Sequence, residues 1–301
     1  MNSTSNSSII HHCLTIRGHV GAIYAMEYDG QFLYSAAADK FVTRWNLALG
    51  SQDKFAIKFE DVPYCLAFLR NNSLLVVGTN SGKLHVFDLE TRTEIKCFHQ
   101  HKTALFNITV NKVNKQFYTA DADGNISVWC SETLGLLLSI PLNCGKIRRM
   151  VLDEKEAFLY IAAQNGHILQ VDTQYFNLIL TFEAHHDGAT AICLDSQNNV
   201  LYTGGKDAFL KCWDLTNGKL LHSLPAHNFV IYDIVALSED LLATVSRDKS
   251  IKIWKKKALQ VMEKVDAFKQ GHHHSVNHLV RLSDNRFATC SDDKTIRIFS
   301  Y

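Results

Sequence analysis

Val200-Leu201-Tyr202-Thr203, Gly204-Gly205-Lys206-Asp207 and Ala208-Phe209-Leu210-Lys211-Cys212-Trp213-Asp214 are the consecutive pieces of residues 200–214, and their reading decides the fold. A short β-rich run leads through a turn into a second run, Phe209 to Trp213, which alternates apolar and polar up to a closing tryptophan. Successive side chains leave opposite faces of a strand, so alternation of this length means a half-buried strand, not a helix. The figure recurs along the chain. Trp45, Phe87, Trp129, Val171, Trp213, Trp254 and Phe299 close comparable runs at intervals of 42, 42, 42, 42, 41 and 45 residues. Turn residues such as Ser81-Gly82, Asp123-Gly124-Asn125 and Asn165-Gly166 separate the paired runs. A fixed period of this size marks units that bury their apolar faces against one another.

Three further positions keep step with the period. An Asp stands six residues before the closing aromatic at Asp39, Asp123, Asp207, Asp248 and Asp293. A hydroxyl precedes each by four residues, at Ser35, Thr119, Thr203, Thr244 and Thr289. A His lies 20 to 22 residues before the Asp, at His19, His101, His185, His227 and His272. Five matches at three offsets are not accidental.

Gly18-His19 through Trp45-Asn46, and Trp213-Asp214, resemble WD40 repeats, and the likeness runs from about Ile10 to Tyr301. The resemblance implies an all-β, seven-bladed WD40 β-propeller with four antiparallel strands per blade around a central channel. It also implies a hydrogen-bonded tetrad of His, Ser or Thr, Asp and Trp inside a blade. The expected tetrads are His19, Ser35, Asp39, Trp45; His101, Thr119, Asp123, Trp129; His185, Thr203, Asp207, Trp213; and His227, Thr244, Asp248, Trp254. The seventh repeat has His272, Thr289 and Asp293, with Phe299 replacing Trp. The residue types suit such a chain: indole only donates, hydroxyl and imidazole accept and donate, and carboxylate accepts. Ser or Thr, His and Asp also suggest a hydrolytic triad. A set repeated around a ring, within strands and tight turns, offers no single accessible nucleophile. No catalytic residue is assigned. Repeats two and four lack the tetrad, with Phe59, Val77 and Ser81 in one and Asn143, Ile161 and Asn165 in the other, and are expected to rely on apolar packing.

The last repeat is one strand short, whereas residues 9–16 form a strand that precedes the first His. The N-terminal strand is therefore expected to complete the last blade and close the ring, which removes two open sheet edges. Residues 1–8 are read as a flexible tail and residues 9–301 as one propeller.

Lys plus Arg total 31 and Asp plus Glu 30, a net charge of +1. Such balance gives no broad field for nucleic acid or an anionic membrane. No run has the length of a membrane span. The eight cysteines show no C-x-x-C pair and mostly sit in apolar runs, so they are read as reduced and buried, in the cytoplasm. No cofactor is expected. His272-His273-His274 does not make a metal site, since His272 belongs to a tetrad and adjacent residues rarely share an ion. Lys255-Lys256-Lys257 is read as a solvated loop.

The resemblance places partner binding on the narrow top face, at residues set by their offsets from the His and Asp. These are Tyr24, Tyr64, Phe106, Lys146, Arg148, Lys206, Tyr232, Arg247, Asn277 and Asp292. The expected function is a non-enzymatic protein-interaction scaffold gripping a peptide or protein, monomeric by itself within a larger complex. A phosphoinositide or ligand sensor, or an enzyme using the channel mouth, is the alternative. Arg148-Arg149 resembles the paired arginines of phosphoinositide-binding propellers, but Met150 stands where that pattern has Gly.

Overall fold

The computed structural model describes residues 8–282 and 285–301. Of the expected tail, residues 1–7 lie outside the described residues. Ser8 donates through Oγ to Ile10 O and Glu263 Oε1, both at 2.7 Å.

The described residues form twenty-eight strands in seven four-stranded antiparallel sheets. Blade one is β2–β5 (residues 23–58), blade two β6–β9 (63–98), blade three β10–β13 (105–141) and blade four β14–β17 (147–183). Blade five is β18–β21 (189–225) and blade six β22–β25 (231–265). Blade seven combines β26–β28 (276–300) with β1 (His11–Arg17). The first strand of each blade neighbours the first strand of the next, and β26 returns to β2, so the ring closes.

Each blade is a sheet buried on both faces. Seven separate apolar clusters occupy the seven gaps between neighbouring blades. The closing aromatics anchor them: Trp45, Trp129 and Trp254 are each 1% exposed and Phe299 is fully buried. The outermost strands face solvent and carry mostly exposed residues, as in β13 (Leu136–Pro141) and β21 (Leu220–Pro225).

The closing strand pairs from His11 opposite Ser300 to Arg17 opposite Thr295 on β28 (Thr295–Ser300). Just before it, the amides of Ile9 and Ile10 both donate to Glu263 Oε2 at 3.0 Å, tying the entering chain to blade six.

The lysine run after Trp254 departs from the solvated loop read from sequence. Lys255 and Lys257 are exposed, but Lys256 is buried and its Nζ lies 2.9 Å from Asp195 Oδ2 of blade five. The turn that follows β24 (Ile251–Lys255) folds its middle residue inward, where a carboxylate takes up the charge.

Candidate functional site

The tetrads show how the blades support the site. In blade one Trp45 Nε1 donates to Ser35 Oγ at 2.7 Å, Ser35 Oγ bonds His19 Nε2 at 2.7 Å, and His19 Nδ1 lies 2.8 Å from Asp39 Oδ2. Blade five repeats the chain through Trp213, Thr203, His185 and Asp207, and blade six through Trp254, Thr244, His227 and Asp248. Blade seven joins Thr289, His272 and Asp293. Burial holds the imidazoles of His19, His227 and His272 below their ordinary pKa. They are therefore neutral, donating at Nδ1 and accepting at Nε2. Gly205 leaves room for one of them: a Cβ there would stand 2.4 Å from the His185 ring.

Blade three corrects the expectation for Asp123. His101 Nδ1 bonds Asp121 Oδ2 at 2.8 Å, and Asp123 is exposed in the turn, its amide donating to Asp121 Oδ1 at 3.0 Å. Asp121 lies two residues past Thr119 on the same strand, hence on the same face. The equivalent residues of the other tetrad blades, Ala37, Gly205, Ser246 and Ser291, are too short to compete.

Blade two departs too. Phe59 packs edge-on against His85 and Phe87, at 5.2 and 5.6 Å between centroids, yet His85 Nδ1 also bonds Glu94 Oε1 at 2.6 Å. That face is not held by apolar packing alone.

The channel mouth arises from one repeated backbone device. In every blade the first strand pair shifts register at a single residue. The skipped residues are Tyr24, Tyr64, Phe106, Arg148, Thr190, Tyr232 and Asn277. A β-bulge re-aims the side chain of the extra residue. All seven line a single cavity of about 950 Å³ that runs down the channel. Thus Tyr24, Tyr64, Phe106, Lys146, Arg148, Tyr232, Asn277 and Asp292 come together at the cavity. Lys206 and Arg247 stand outside it, exposed on the same rim.

The mouth is a continuous arc. Tyr24 meets Tyr64 edge-on at 5.1 Å, and Tyr64 stacks on Phe106 at 5.5 Å. Arg148 bridges Phe106 and Tyr232, its guanidinium carbon 5.5 and 5.3 Å from their centroids, and Lys146 Nζ lies 4.6 Å over Phe106. Neither cation has a carboxylate partner among the described residues. Burial lowers the pKa of both, and Lys146 is lowered further by Arg148 and Lys206. Asn277 and Asp292 are less free. Asn277 Nδ2 donates to Asp292 Oδ1 at 2.8 Å and to Ile23 O at 2.9 Å, which ties blade seven to blade one. Thr190 is likewise used, donating to Ile231 O at 2.6 Å.

Below the mouth lies an ionic cluster that the sequence does not reveal. Arg149 Nη1 is 2.8 Å from His278 Nε2, and its Nη2 is 3.0 Å from Asp233 Oδ1. The amides of Ile234 and Leu279 also donate to Asp233. Burial pushes His278 down to about 4, so it is neutral. With Arg149 turned to this cluster and Arg148 clasped by aromatic rings, neither arginine is presented on the outer rim.

Glu27 lines the same cavity, and burial pushes its pKa up to about 7, Arg149 opposing and Asp233 assisting. A raised carboxyl pKa means that the folded state holds its proton where the unfolded chain has lost it, above about 4.3. The resulting penalty grows as pH rises to about 7 and then levels off. Glu27→Gln is therefore expected to raise Tm by about 2–4 °C at pH 8 and to leave it unchanged at pH 4.5, as read by thermal melts at the two pH values.

A profile described as "WD domain, G-beta repeat" matches residues 11–46, 176–214, 218–255 and 263–300, half of the chain. The chain is 25% identical to "Kinesin-like protein KIF21A" of Homo sapiens over 80% of its length and 14% of that protein's. It is 22% identical to "U3 small nucleolar RNA-associated protein 15 homolog" of Gallus gallus over 68% of its length and 40% of that protein's. It is 24% identical to "WD repeat-containing protein 55 homolog" of Dictyostelium discoideum, over 80% and 59% respectively. The chain thus spans less than two thirds of these relatives. No helix among the described residues is long and apolar enough to cross a membrane.

Proposed function

The chain belongs to the WD40 family of β-propellers, and on that footing we propose that it is a non-enzymatic scaffold seating a protein or peptide at the channel mouth. Propellers of this family generally serve as interaction platforms. An apolar or aromatic anchor lies against Tyr24, Tyr64 and Phe106, and an acidic flank lies over Lys146 and Arg148. The observation that carries this reading is the half-buried cation pair without a counter-ion, set among aromatic rings. Two desolvated cations that repel each other are relieved by an arriving carboxylate, and aromatics with Arg dominate interface hot spots. Lys206 and Arg247 extend the basic rim toward the same flank. The relatives' names span a kinesin-like protein and a small nucleolar RNA-associated one, which fits a common platform whose surface sets the partner. The eight free cysteines support a reducing compartment, the cytoplasm.

Replacing Tyr24, Phe106 and Arg148 together by alanine tests this. The triple variant is expected to keep its cooperative melt and to lose partners that wild type retains in affinity capture with mass spectrometry. Retention of the same partners at the same yield would show that another face binds them.

A further inference from the structure

One cluster of donor side chains has no part in the tetrads, the mouth or the channel. It lies on the outer half of blade two, on β8 (Leu84–Asp88) and β9 (Thr93–Phe98). His85 sits directly opposite Cys97 in the pairing. A register shift between Val86 and Phe87 then sets Glu94, instead of Ile95, opposite Phe87. Phe87 shares a face with His85, two residues away, so the bulge brings Glu94 onto the face of His85 and Cys97. One ligand atom from each of His85, Glu94 and Cys97 lies within 4.8 Å of the others. His99 follows in the loop, its Nε2 3.6 Å from Cys97 Sγ.

We infer that blade two carries a zinc-class divalent metal site formed by His85, Glu94 and Cys97, with His99, beside Cys97 but outside that group, turning in from its loop as the fourth ligand. Zinc–ligand bonds of about 2.0–2.3 Å in a tetrahedron set ligand atoms about 3.3–3.7 Å apart. The Cys97–His99 separation already has that value. The 2.6 Å His85–Glu94 hydrogen bond must open by under about 1 Å as the metal replaces the shared proton, which passes to Nε2 of the His85 ring so that the imidazole stays neutral. A thiolate with two imidazoles selects zinc over hard cations such as magnesium or calcium. Charge balances as well: one thiolate and one carboxylate neutralise the divalent ion. Binding converts the Cys97 thiol to thiolate and releases its proton to solvent. The nearby ammonium of Lys83 does not oppose the ion, being paired with Asp61 at 2.9 Å and Glu60 at 3.7 Å. Phe59 packs against His85 where other blades hold a tetrad histidine, which leaves His85 available on this face.

The test is a cobalt(II) titration of the metal-stripped full chain, followed by displacement with zinc. Wild type is expected to take up one equivalent with a thiolate-to-cobalt charge-transfer band and tetrahedral visible bands. Cys97→Ser should lose the charge-transfer band, and Cys97→Ser and His85→Ala should each weaken binding by more than about tenfold. Cys13→Ser and the pair His273→Ala with His274→Ala should change nothing. Thermal melts of the metal-free variants establish that they are folded, and zinc should raise the Tm of wild type but not of Cys97→Ser. Absence of saturable uptake, or equal uptake by the His85 and Cys97 variants, overturns the site.

Discussion

Removal of the chain up to Arg17 is expected to abolish the cooperative melt of the whole propeller, not to trim its edge. Ile10, just before strand β1, and Ile16 within it are buried, at 6% and 1% exposure, in the clusters on either side of blade seven. Each is worth about 1.5–3 kcal/mol. The pairing with β28 is lost with them. The buried Glu263 carboxylate also loses Ser8 and the amides of Ile9 and Ile10, keeping Lys269 at 3.1 Å. Loss of several donors to a buried charge costs a further few kcal/mol. The sum reaches about 5 kcal/mol or more, the lower end of the total stability of an ordinary domain. Opening the edge of β28 adds an aggregation route. Tryptophan fluorescence and calorimetry should show a non-cooperative or absent transition. A truncated chain melting cooperatively at the wild-type temperature would mean that ring closure does not hold this protein together.

That strand was legible because a repeat makes a missing piece countable. Seven closing residues at intervals of 41 to 45 residues marked the blades, and an unassigned run before the first tetrad His had one place to go. The tetrads were legible for the same reason, apart from Asp123. There two aspartates stand two residues apart, and strand geometry, which spacing alone does not encode, decides that Asp121 faces His101. The mouth was reached through offsets implied by the family. Its cause, a bulge at the same residue of every blade, is a backbone property that leaves no mark in side-chain pattern. The ionic cluster stayed hidden for a different reason. Arg149 and His278 are 129 residues apart in sequence and meet only because the ring brings blades four and seven to one axis. The blade-two donors were missed because a bulge, not a motif, aligns Glu94 with His85 and Cys97.

The misread Lys256 yields the other large effect. Lysine runs are usually solvated because burying an ammonium is costly, and Lys255 and Lys257 obey that rule. Lys256 does not, because Asp195 of the neighbouring blade meets it; the two side chains are 7% and 5% exposed. Burial opposes the charge on Asp195, but Lys256, assisted by Asn198, holds its carboxyl below the usual range. Lys256→Met leaves that carboxylate buried without its cation, and the expected loss is about 3 kcal/mol, the scale for breaking one side of a buried pair. Asp195→Asn alone should also destabilise, by stranding the ammonium. The double variant Asp195→Asn with Lys256→Met removes both charges and retains an acceptor for the Asn198 amide, which now bonds Asp195 Oδ1 at 3.3 Å. It is expected to recover most of the loss, since no unpaired charge is left buried and replacing both members of a buried pair is often far less costly than removing one. Urea denaturation of the four proteins gives the coupling directly. Additive losses in the double variant would mean that the two side chains contribute separately, and that the contact between blades five and six does not depend on their pairing.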